Sequence, residues 1–339
     1  MSQVVMSHAI RLFTSQTTTS NAMYSIASHL PKDTSDYLDA EMPIPSFPLK
    51  KTPFQINTNT AKEQLFSSYI KEPLTKELMQ KRYTLLGKEK WREFIDGKDA
   101  SYGKHAYDLG IHKEGFGDKE PGYLSSMTDA CQYIYDHIDT LTCIDDYLKT
   151  HSIACAHFAS SSADDFTICL KEEIGAFRTM RVGSLILPKR KISPDVIEEL
   201  GNFDKRIGAS FFVEKQGMHI SISYRENEKT ADMQQKFTKL LNGYQRDIKR
   251  CVDPSQKLYV IARLYQHSQW LHTTTDGSGR LDIAVMNKHL TQNGFHPTIL
   301  NYPYMCCTST LAEWIDALQD GLHLWESTAL KVHGLITTD

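Results

Sequence analysis

The sequence predicts a mainly α-helical protein with one or two small β-hairpins and an N-terminal extension. Beyond residue 60, apolar residues recur every three or four positions through most of the chain, which is the spacing of a buried helix face. Two short intervals, near 166–187 and 209–224, are instead rich in β-branched and aromatic residues and contain turn formers, as β-hairpins do. No internal repeat and no strand–helix alternation is visible, which argues against a doubly wound parallel sheet.

The composition is typical of a globular protein. The 339 residues include 38 Lys and Arg against 41 Asp and Glu, and the net charge of −3 supplies no broad basic field for nucleic acid. No apolar run reaches the roughly 18 residues of a transmembrane helix, and the start of the chain lacks the hydrophobic core of a signal peptide. Seven cysteines without a CxxC pair predict reduced thiols. We therefore expect a protein that is cytoplasmic in the producing cell, or secreted into a host cell without a cleaved signal peptide.

Three regions follow one another along the chain. Residues 1–60 are rich in Ser and Thr and then in Pro, which predicts a flexible arm; an uncleaved export signal of a bacterial effector is the alternative that composition leaves open. Residues 61–124 combine helical patterns that end near Pro73 and Gly87 with a Gly- and Lys-rich connection. Residues 125–335 carry the remaining elements and are predicted to form the main domain.

The first half of the main domain alternates helices with the two hairpins. The predicted elements are, in chain order, a helix over 126–148, a hairpin from 166–170 and 177–187, a helix from Ser193, a hairpin from 209–214 and 218–224, and helices from about 228 onward. The helix start at Ser193 is indicated by Pro194, which fits the first helical position, and by Asp195, which favours the positive end of the helix dipole.

Two consecutive helices with a short loop between them follow. The run from Asp253 to Gln256 is a helix start, because Asp can cap the helix, Pro takes the first position and Gln stands three residues after the cap. This helix is predicted to end at about His272. Turn formers occupy 273–279, a second helix begins at Arg280, and Asn293-Gly294 stops it.

The loop between these helices gathers the residue types that phosphoryl or nucleotidyl transfer needs. Gly277 and Gly279 let backbone N–H groups approach an anion closely, at the positive end of the following helix. Arg280 can clamp phosphate oxygens, and Asp276 is a hard oxygen ligand for Mg²⁺. His272 is placed to take a proton from an attacking hydroxyl. A polar loop without function is the alternative, but the full set in this order favours a transfer site.

These residues resemble the core motif of the Fic family, H-x-F-x-[D/E]-G-N-G-R-x-x-R between two helices. The stretch HTTTDGSGRLDI begins at His272 and matches the motif at His272, Asp276, Gly277, Gly279 and Arg280. The family also carries a β-hairpin flap that starts G-x-[Y/F]-R, which the GAFR run from Gly175 resembles. The corresponding flap residues are Phe177, Arg178, Thr179, Met180, Arg181 and Val182. The resemblance spans roughly 125–335.

The resemblance implies a Fic-like helical bundle that transfers AMP from ATP, with Mg²⁺, to a hydroxyl side chain of a target protein. His272 would be the general base and Asp276 the Mg²⁺ ligand, while Gly277, Ser278, Gly279 and Arg280 would bind the nucleotide phosphates. The flap would hold an extended segment of the target by strand addition. Since bacterial effectors and toxins often use this fold on host GTPases, a host GTPase is the kind of protein substrate that the resemblance implies.

Three departures from the motif leave the donor open. Thr274 replaces a Phe that packs beneath the loop, and Ser278 replaces Asn, which has a longer side chain. Ile283 replaces the second Arg, which in the family usually meets the γ-phosphate. A donor other than ATP, such as CDP-choline or UTP, is therefore one alternative. A catalytically inactive Fic-fold module that binds a partner is the other.

Overall fold

The described part of the protein, taken from a computed structural model, confirms the mainly helical class. It comprises residues 44–49, 84–93, 122–137, 144–157, 175, 185–187, 193–207, 211–216, 219–224, 230–274, 277–300 and 305–335. The predicted flap at 177–182, the predicted strand at 166–170 and Asp276 lie outside these ranges. Among the helices within them, none is long and apolar enough to cross a membrane.

The helices and strands follow one another in this order. A 3₁₀ helix spans Gly87–Glu93, and the α-helices are α1 (Tyr123–Asp136), α2 (Ile144–Ala154), α3 (Pro194–Ile207), α4 (Thr230–Arg250), α5 (Pro254–Leu271), α6 (Ser278–Gln292), α7 (Met305–Thr308) and α8 (Leu311–Val332). The strands are β1 (Leu185–Leu187), β2 (Phe211–Gln216) and β3 (His219–Tyr224).

The three strands form one antiparallel sheet in the order β1-β3-β2. Phe211 pairs with Tyr224 and Gln216 with His219, so β2 and β3 face each other along their full lengths. β1 pairs with the other side of β3, where Leu185 lies opposite Ile222. β1 lies in the region of the first predicted hairpin, and it pairs with a strand of the second. Both regions therefore contribute to a single small sheet.

The single long helix predicted over 126–148 is wrong, because the segment holds two helices. α1 ends at His137, whose backbone N–H and ring Nδ1 both lie within hydrogen-bond distance of the Tyr133 carbonyl oxygen, at 3.0 and 2.9 Å. A new helix begins at Ile144 with two aspartates in its first turn, where carboxylates interact favourably with the helix dipole. The apolar spacing continues across the break, so the sequence pattern alone does not reveal it.

The start of α5 forms as its sequence predicts. The Asp253 side chain accepts a hydrogen bond from the Gln256 backbone N–H at 2.9 Å, and Pro254 occupies the first helical turn. The hydrogen bond from the Ser255 hydroxyl, together with those from the Gln256 backbone and the Ser46 hydroxyl, lowers the pKa of Asp253 to about 2. Burial acts weakly in the opposite direction. The hydrogen bonds from Ser255 and Gln256 are local, so the sequence next to Asp253 is enough to cap this helix.

Part of the predicted N-terminal arm packs on this helix start. The Ser46 hydroxyl donates to the Asp253 carboxylate at 2.7 Å, and the Phe47 backbone N–H donates to the Ser255 hydroxyl at 3.2 Å. The side chains of Ile44, Phe47 and Leu49 add to the main hydrophobic core. Residues 44–49 therefore pack against the N-terminal end of α5.

The helices α5 and α6 lie at the centre of this core. Every residue of α6 from Ser278 to Thr291 is buried, and so is α5 from Val260 to Leu271. Indole groups connect α5 to α7 and α8, since Trp270 Nε1 donates to the Cys307 carbonyl at 3.3 Å and Trp314 Nε1 to the Ala262 carbonyl at 3.2 Å. The loop between α5 and α6 is thus held by two rigid elements.

Candidate functional site

The loop between α5 and α6 has left-handed backbone at each end. His272 ends α5 with φ 48° and ψ 69°, and its backbone N–H donates to the Ser268 carbonyl at 2.9 Å. Gly277 has φ 72° and precedes α6, whose first turn closes with the hydrogen bond from Leu281 N–H to the Gly277 carbonyl at 3.1 Å. The predicted helix–loop–helix is therefore confirmed, with Asp276 outside the described residues.

The C-terminal end of α2 packs directly against Gly277. A Cβ atom placed on Gly277 would lie 2.4 Å from Cys155 Sγ and 3.2 Å from His151 Nε2, so only glycine fits there. His151 Nδ1 accepts a hydrogen bond from the Gly175 backbone N–H at 3.0 Å, which leaves the ring proton of a neutral imidazole on Nε2, 3.5 Å from Cys155 Sγ. The loop that the sequence predicts as an anion cradle thus has α2 as one wall.

Arg280 adds a cation to the positive end of α6. It lies in the first helical turn, is 4% exposed, and its guanidinium lies 3.3 Å from His157 Nε2. The first turn of α6 contains no acidic residue. Positive charge at a helix N-terminus is opposite to the usual preference, so the combination raises the local positive potential.

Two of the three departures from the Fic motif touch each other. The hydroxyls of Thr274 and Ser278 lie 2.6 Å apart, and the Thr274 backbone N–H donates to the Ser278 hydroxyl at 3.3 Å. Both residues are fully or almost fully buried. The serine side chain therefore closes the loop internally, and the two replacements form one local unit.

A double-mutant cycle tests this unit. We expect the Thr274→Val and Ser278→Ala substitutions to couple by about 1 kcal/mol in the free energy of unfolding, because each removes a hydrogen bond that the other also breaks. The matched control is a second cycle that combines Ser278→Ala with Thr291→Val. The Thr291 hydroxyl donates to the Asn287 carbonyl oxygen near the other end of α6. Additive effects in the first cycle, measured by urea unfolding, would contradict the pairing.

The third departure lies in the core. Ile283 is 2% exposed and belongs to the main hydrophobic cluster. A guanidinium at this position would be desolvated among apolar side chains, which is costly without an ionic partner. The structure thus supplies no cation at the position where the family motif has its second arginine.

One buried acid of the site region was missed by the sequence analysis. Asp282 is 3% exposed and accepts hydrogen bonds from the Tyr147 hydroxyl, the Ser268 hydroxyl at 2.7 Å and the Gln269 amide at 2.6 Å. It therefore ties α6 to α2 and α5 directly below the loop. No spacing rule identifies it, because Tyr147 is 135 residues away in the sequence.

Asp282 predicts a pH-dependent stability. Burial raises the pKa of Asp282 to about 7, although its three hydrogen bonds act in the opposite direction. The folded state then binds this proton more tightly than the unfolded state, so this contribution is complete below about pH 4 and is lost as pH rises to about 7. The Asp282→Asn variant should lack this loss, because the Gln269 amide and the two hydroxyls can reorient toward an asparagine.

Unfolding in urea at several pH values measures the effect. Between pH 5 and 8, wild type should lose roughly 2–3 kcal/mol of stability relative to Asp282→Asn. Other titrating groups cancel in the difference between the two proteins, including Glu93, whose pKa burial raises to about 8. A constant difference across this range would show that Asp282 is ionised throughout.

Most residues that the sequence predicts for the phosphate site come together in the fold. His272 and the run Gly277–Arg280 border one loop, while Asp276 and the flap residues 177–182 lie outside the described residues. Among the residues that are described, no cluster of three or more His, Cys, Asp or Glu is arranged to hold a metal ion. No protein-family model matches the sequence, and no curated protein matches it.

Proposed function

We propose that the chain is a Fic-like, nucleotide-dependent transferase that moves AMP, or another nucleotide-derived phosphoryl group, to a hydroxyl side chain of a target protein. The observation that carries this proposal is the positive potential at the start of α6. The positive end of the helix dipole lies here, the first turn contains Arg280 and no acidic residue, and the Arg280 guanidinium lies 3.3 Å from His157 Nε2. A polyphosphate is the natural ligand of such a helix start.

His272 is the proposed general base. It lies at the end of α5, separated from α6 by residues 273–277, and it is half-buried. As the target hydroxyl oxygen bonds to the α-phosphorus of a nucleoside triphosphate, pyrophosphate would leave and the hydroxyl proton would pass to the imidazole. The left-handed backbone at His272 turns the chain out of the helix at this residue, toward the loop.

The remaining parts of the proposal rest on the motif. Mg²⁺, held by Asp276, would supply neutralisation of phosphate charge. The flap from Phe177 to Val182 would align an extended segment of the target, for which a host GTPase is the proposed class. A bacterial effector or toxin that modifies a host protein would act in this way.

The residues around the proposed phosphate site bear on which nucleotide is the donor. Since Ile283 lies in the apolar core, no cation at that position would meet a γ-phosphate. This supports a donor held mainly by its α- and β-phosphates, at Gly277 to Arg280. ATP remains the simplest donor, and UTP and CDP-choline also present a diphosphate.

A partner-binding module without catalysis is the second candidate. Gly277, Ser278, Gly279 and Arg280 are all buried, and the α2 side chains of His151 and Cys155 lie against the glycine. The Ser278 hydroxyl is also engaged by Thr274. These contacts favour a loop that serves as a packing element, in which case the fold would act through its surface.

Label transfer separates the two candidates. The purified chain is incubated with Mg²⁺, host-cell lysate and ATP, UTP or CDP-choline, each carrying a label on the transferred group. The transferase proposal expects protein labelling with one donor and its loss in Arg280→Gln, with the Arg92→Gln variant in the 3₁₀ helix as the matched control. No labelling and no nucleotide binding by equilibrium dialysis would contradict the transferase and support the module.

A further inference from the structure

Residues 84–93, which we call the docked segment, pack on α8 through a small hydrophobic cluster. The His333 ring Nε2, just after α8, lies 3.2 Å from the Leu85 carbonyl oxygen, and Trp91 also packs, half-buried, against the main core. A small cluster of this kind can open locally while the main core stays folded. Its buried members, all outside the main core, are Leu85, Leu86, Ile299, Trp325, Ala329 and Leu330.

A buried carboxyl group closes the C-terminal end of the docked segment. Glu93 is the last residue of the 3₁₀ helix and is only 3% exposed. Its Oε1 accepts a hydrogen bond from Trp325 Nε1 at 2.5 Å. The indole is fully buried, and the His296 ring stacks on it with 4.9 Å between the centroids. The hydrogen bond between Glu93 and Trp325 therefore joins the segment to α8 inside the packed interior.

Few charges surround Glu93. Lys90, on the same 3₁₀ helix, is the one residue in the described ranges whose charge acts on the Glu93 carboxyl. Burial lowers the pKa of Lys90, while Cys131 of α1 and Glu93 act in the opposite direction. On α8, the Glu326 carboxylate lies 3.9 Å from His323 Nδ1 and does not act on Glu93. Within the part of the chain that is described, a negative charge on Glu93 would be offset by one lysine.

The charged form of Glu93 is unfavourable while the segment is docked. A carboxylate can accept about four hydrogen bonds, and the indole supplies one. A charge that is buried without full pairing is costly, so such a group keeps its proton instead. Burial raises the pKa of Glu93 to about 8, although the hydrogen bond from Trp325 and the charge of Lys90 act in the opposite direction. In water the same carboxyl group has an ordinary pKa of 4.5.

We propose that Glu93 and Trp325 form a proton-operated latch that holds the docked segment on α8. When Glu93 carries a proton, its neutral carboxyl group accepts the indole N–H within the interior. When Glu93 is ionised, the carboxylate gains hydration by leaving Trp325, and the segment separates from α8. The separation uncovers Trp325 and Leu330, which the segment covers in the docked state. This inference does not depend on the transferase proposal.

The latch weakens as pH rises. The docked segment binds the Glu93 proton more tightly than the separated segment does, because docking buries the carboxyl group. The contribution of this proton to docking is therefore complete below about pH 4.5 and is lost as pH rises to about 8. Within that window the equilibrium constant for opening should rise by up to about tenfold per pH unit, and above it the constant should level off.

Hydrogen exchange of the full chain, followed by mass spectrometry at about pH 6, 7 and 8, tests the latch. Exchange rates are expressed relative to an unstructured peptide at the same pH. Protection of residues 84–93 should fall by up to about tenfold per pH unit in the wild type. It should stay constant in Glu93→Gln, because the amide oxygen still accepts the indole N–H and does not titrate. Glu89→Gln is the matched control on the same 3₁₀ helix and should behave as the wild type does.

Three results would overturn the latch. The first is the same pH dependence of protection in the wild type and in Glu93→Gln. The second is an equal loss of protection in α5 and α6, which would show that the whole protein unfolds. The third comes from the wild type alone, so it serves if Glu93→Gln fails to fold. The NMR signal of the Trp325 indole N–H should shift with a midpoint near pH 8, and a midpoint near pH 4.5 would show that Glu93 is ionised while docked.

Discussion

The His272→Asn variant is expected to lose label transfer by roughly 10²–10⁴-fold while keeping the stability of the wild type. The loss follows from removing the side chain that we propose as the general base for the target hydroxyl. Asparagine is the informative replacement because it tolerates the left-handed backbone that His272 adopts, with φ 48°. Initial rates of protein labelling, with the active donor saturating, measure the effect.

A buried imidazole elsewhere in the fold gives the matched control. His289 lies on α6, far from the loop, and is 4% exposed. Its replacement by Asn should leave labelling rates within about threefold of wild type, since it takes no part in proton transfer. Equal rates for His272→Asn and wild type would remove His272 from the mechanism, even if transfer itself is observed.

The Gly277→Ala variant should lose roughly 2–5 kcal/mol in free energy of unfolding, the sum of a left-handed backbone penalty and overpacking. The backbone at Gly277 has φ 72°, and the new methyl group would lie 2.4 Å from Cys155 Sγ. Cys155 directly follows α2 and is 1% exposed, so the sulfur has little room to give way. Urea unfolding followed by circular dichroism measures the loss.

Two further variants separate the causes. In Gly243→Ala the new methyl group meets nothing within 4 Å, so this helical substitution should stabilise the protein by about 0.5–1 kcal/mol. The Gly277→Ala/Cys155→Ala double variant should regain the unfolding free energy lost to overpacking. Only the loss due to the left-handed backbone should then remain. If the double variant is no more stable than Gly277→Ala alone, the contact with α2 is not the cause.

Local signals determined which elements the sequence could predict. The cap at Asp253, the proline after it and the stop at Asn293 each act within a few residues, and α5 and α6 begin and end close to where these signals predict. The break at His137 could not be predicted in this way, because apolar spacing continues through it. At the break the His137 ring Nδ1 lies 2.9 Å from the Tyr133 carbonyl oxygen, a side-chain contact for which no residue pattern is diagnostic.

The candidate site likewise has a part that local sequence signals predict and a part that they do not. The motif from His272 to Arg280 is contiguous and therefore visible in the sequence. The side chains that pack against the loop are not visible in this way, because His151 and Cys155 lie at the end of α2, more than 100 residues earlier. The pairing of Thr274 with Ser278 also becomes evident only when both hydroxyls are placed, although each departure alone is plain in the sequence.

The contact between α2 and Gly277 has a consequence for protein engineering. If the twelve residues from His272 to Ile283 were transplanted into another scaffold, Gly277 would lose the side chains of His151 and Cys155 against which it packs. A transplanted loop would therefore need His151 and Cys155, or equivalent side chains, from a second segment of the chain. Directed-evolution libraries that randomise this segment should therefore vary positions 151 and 155 together with it.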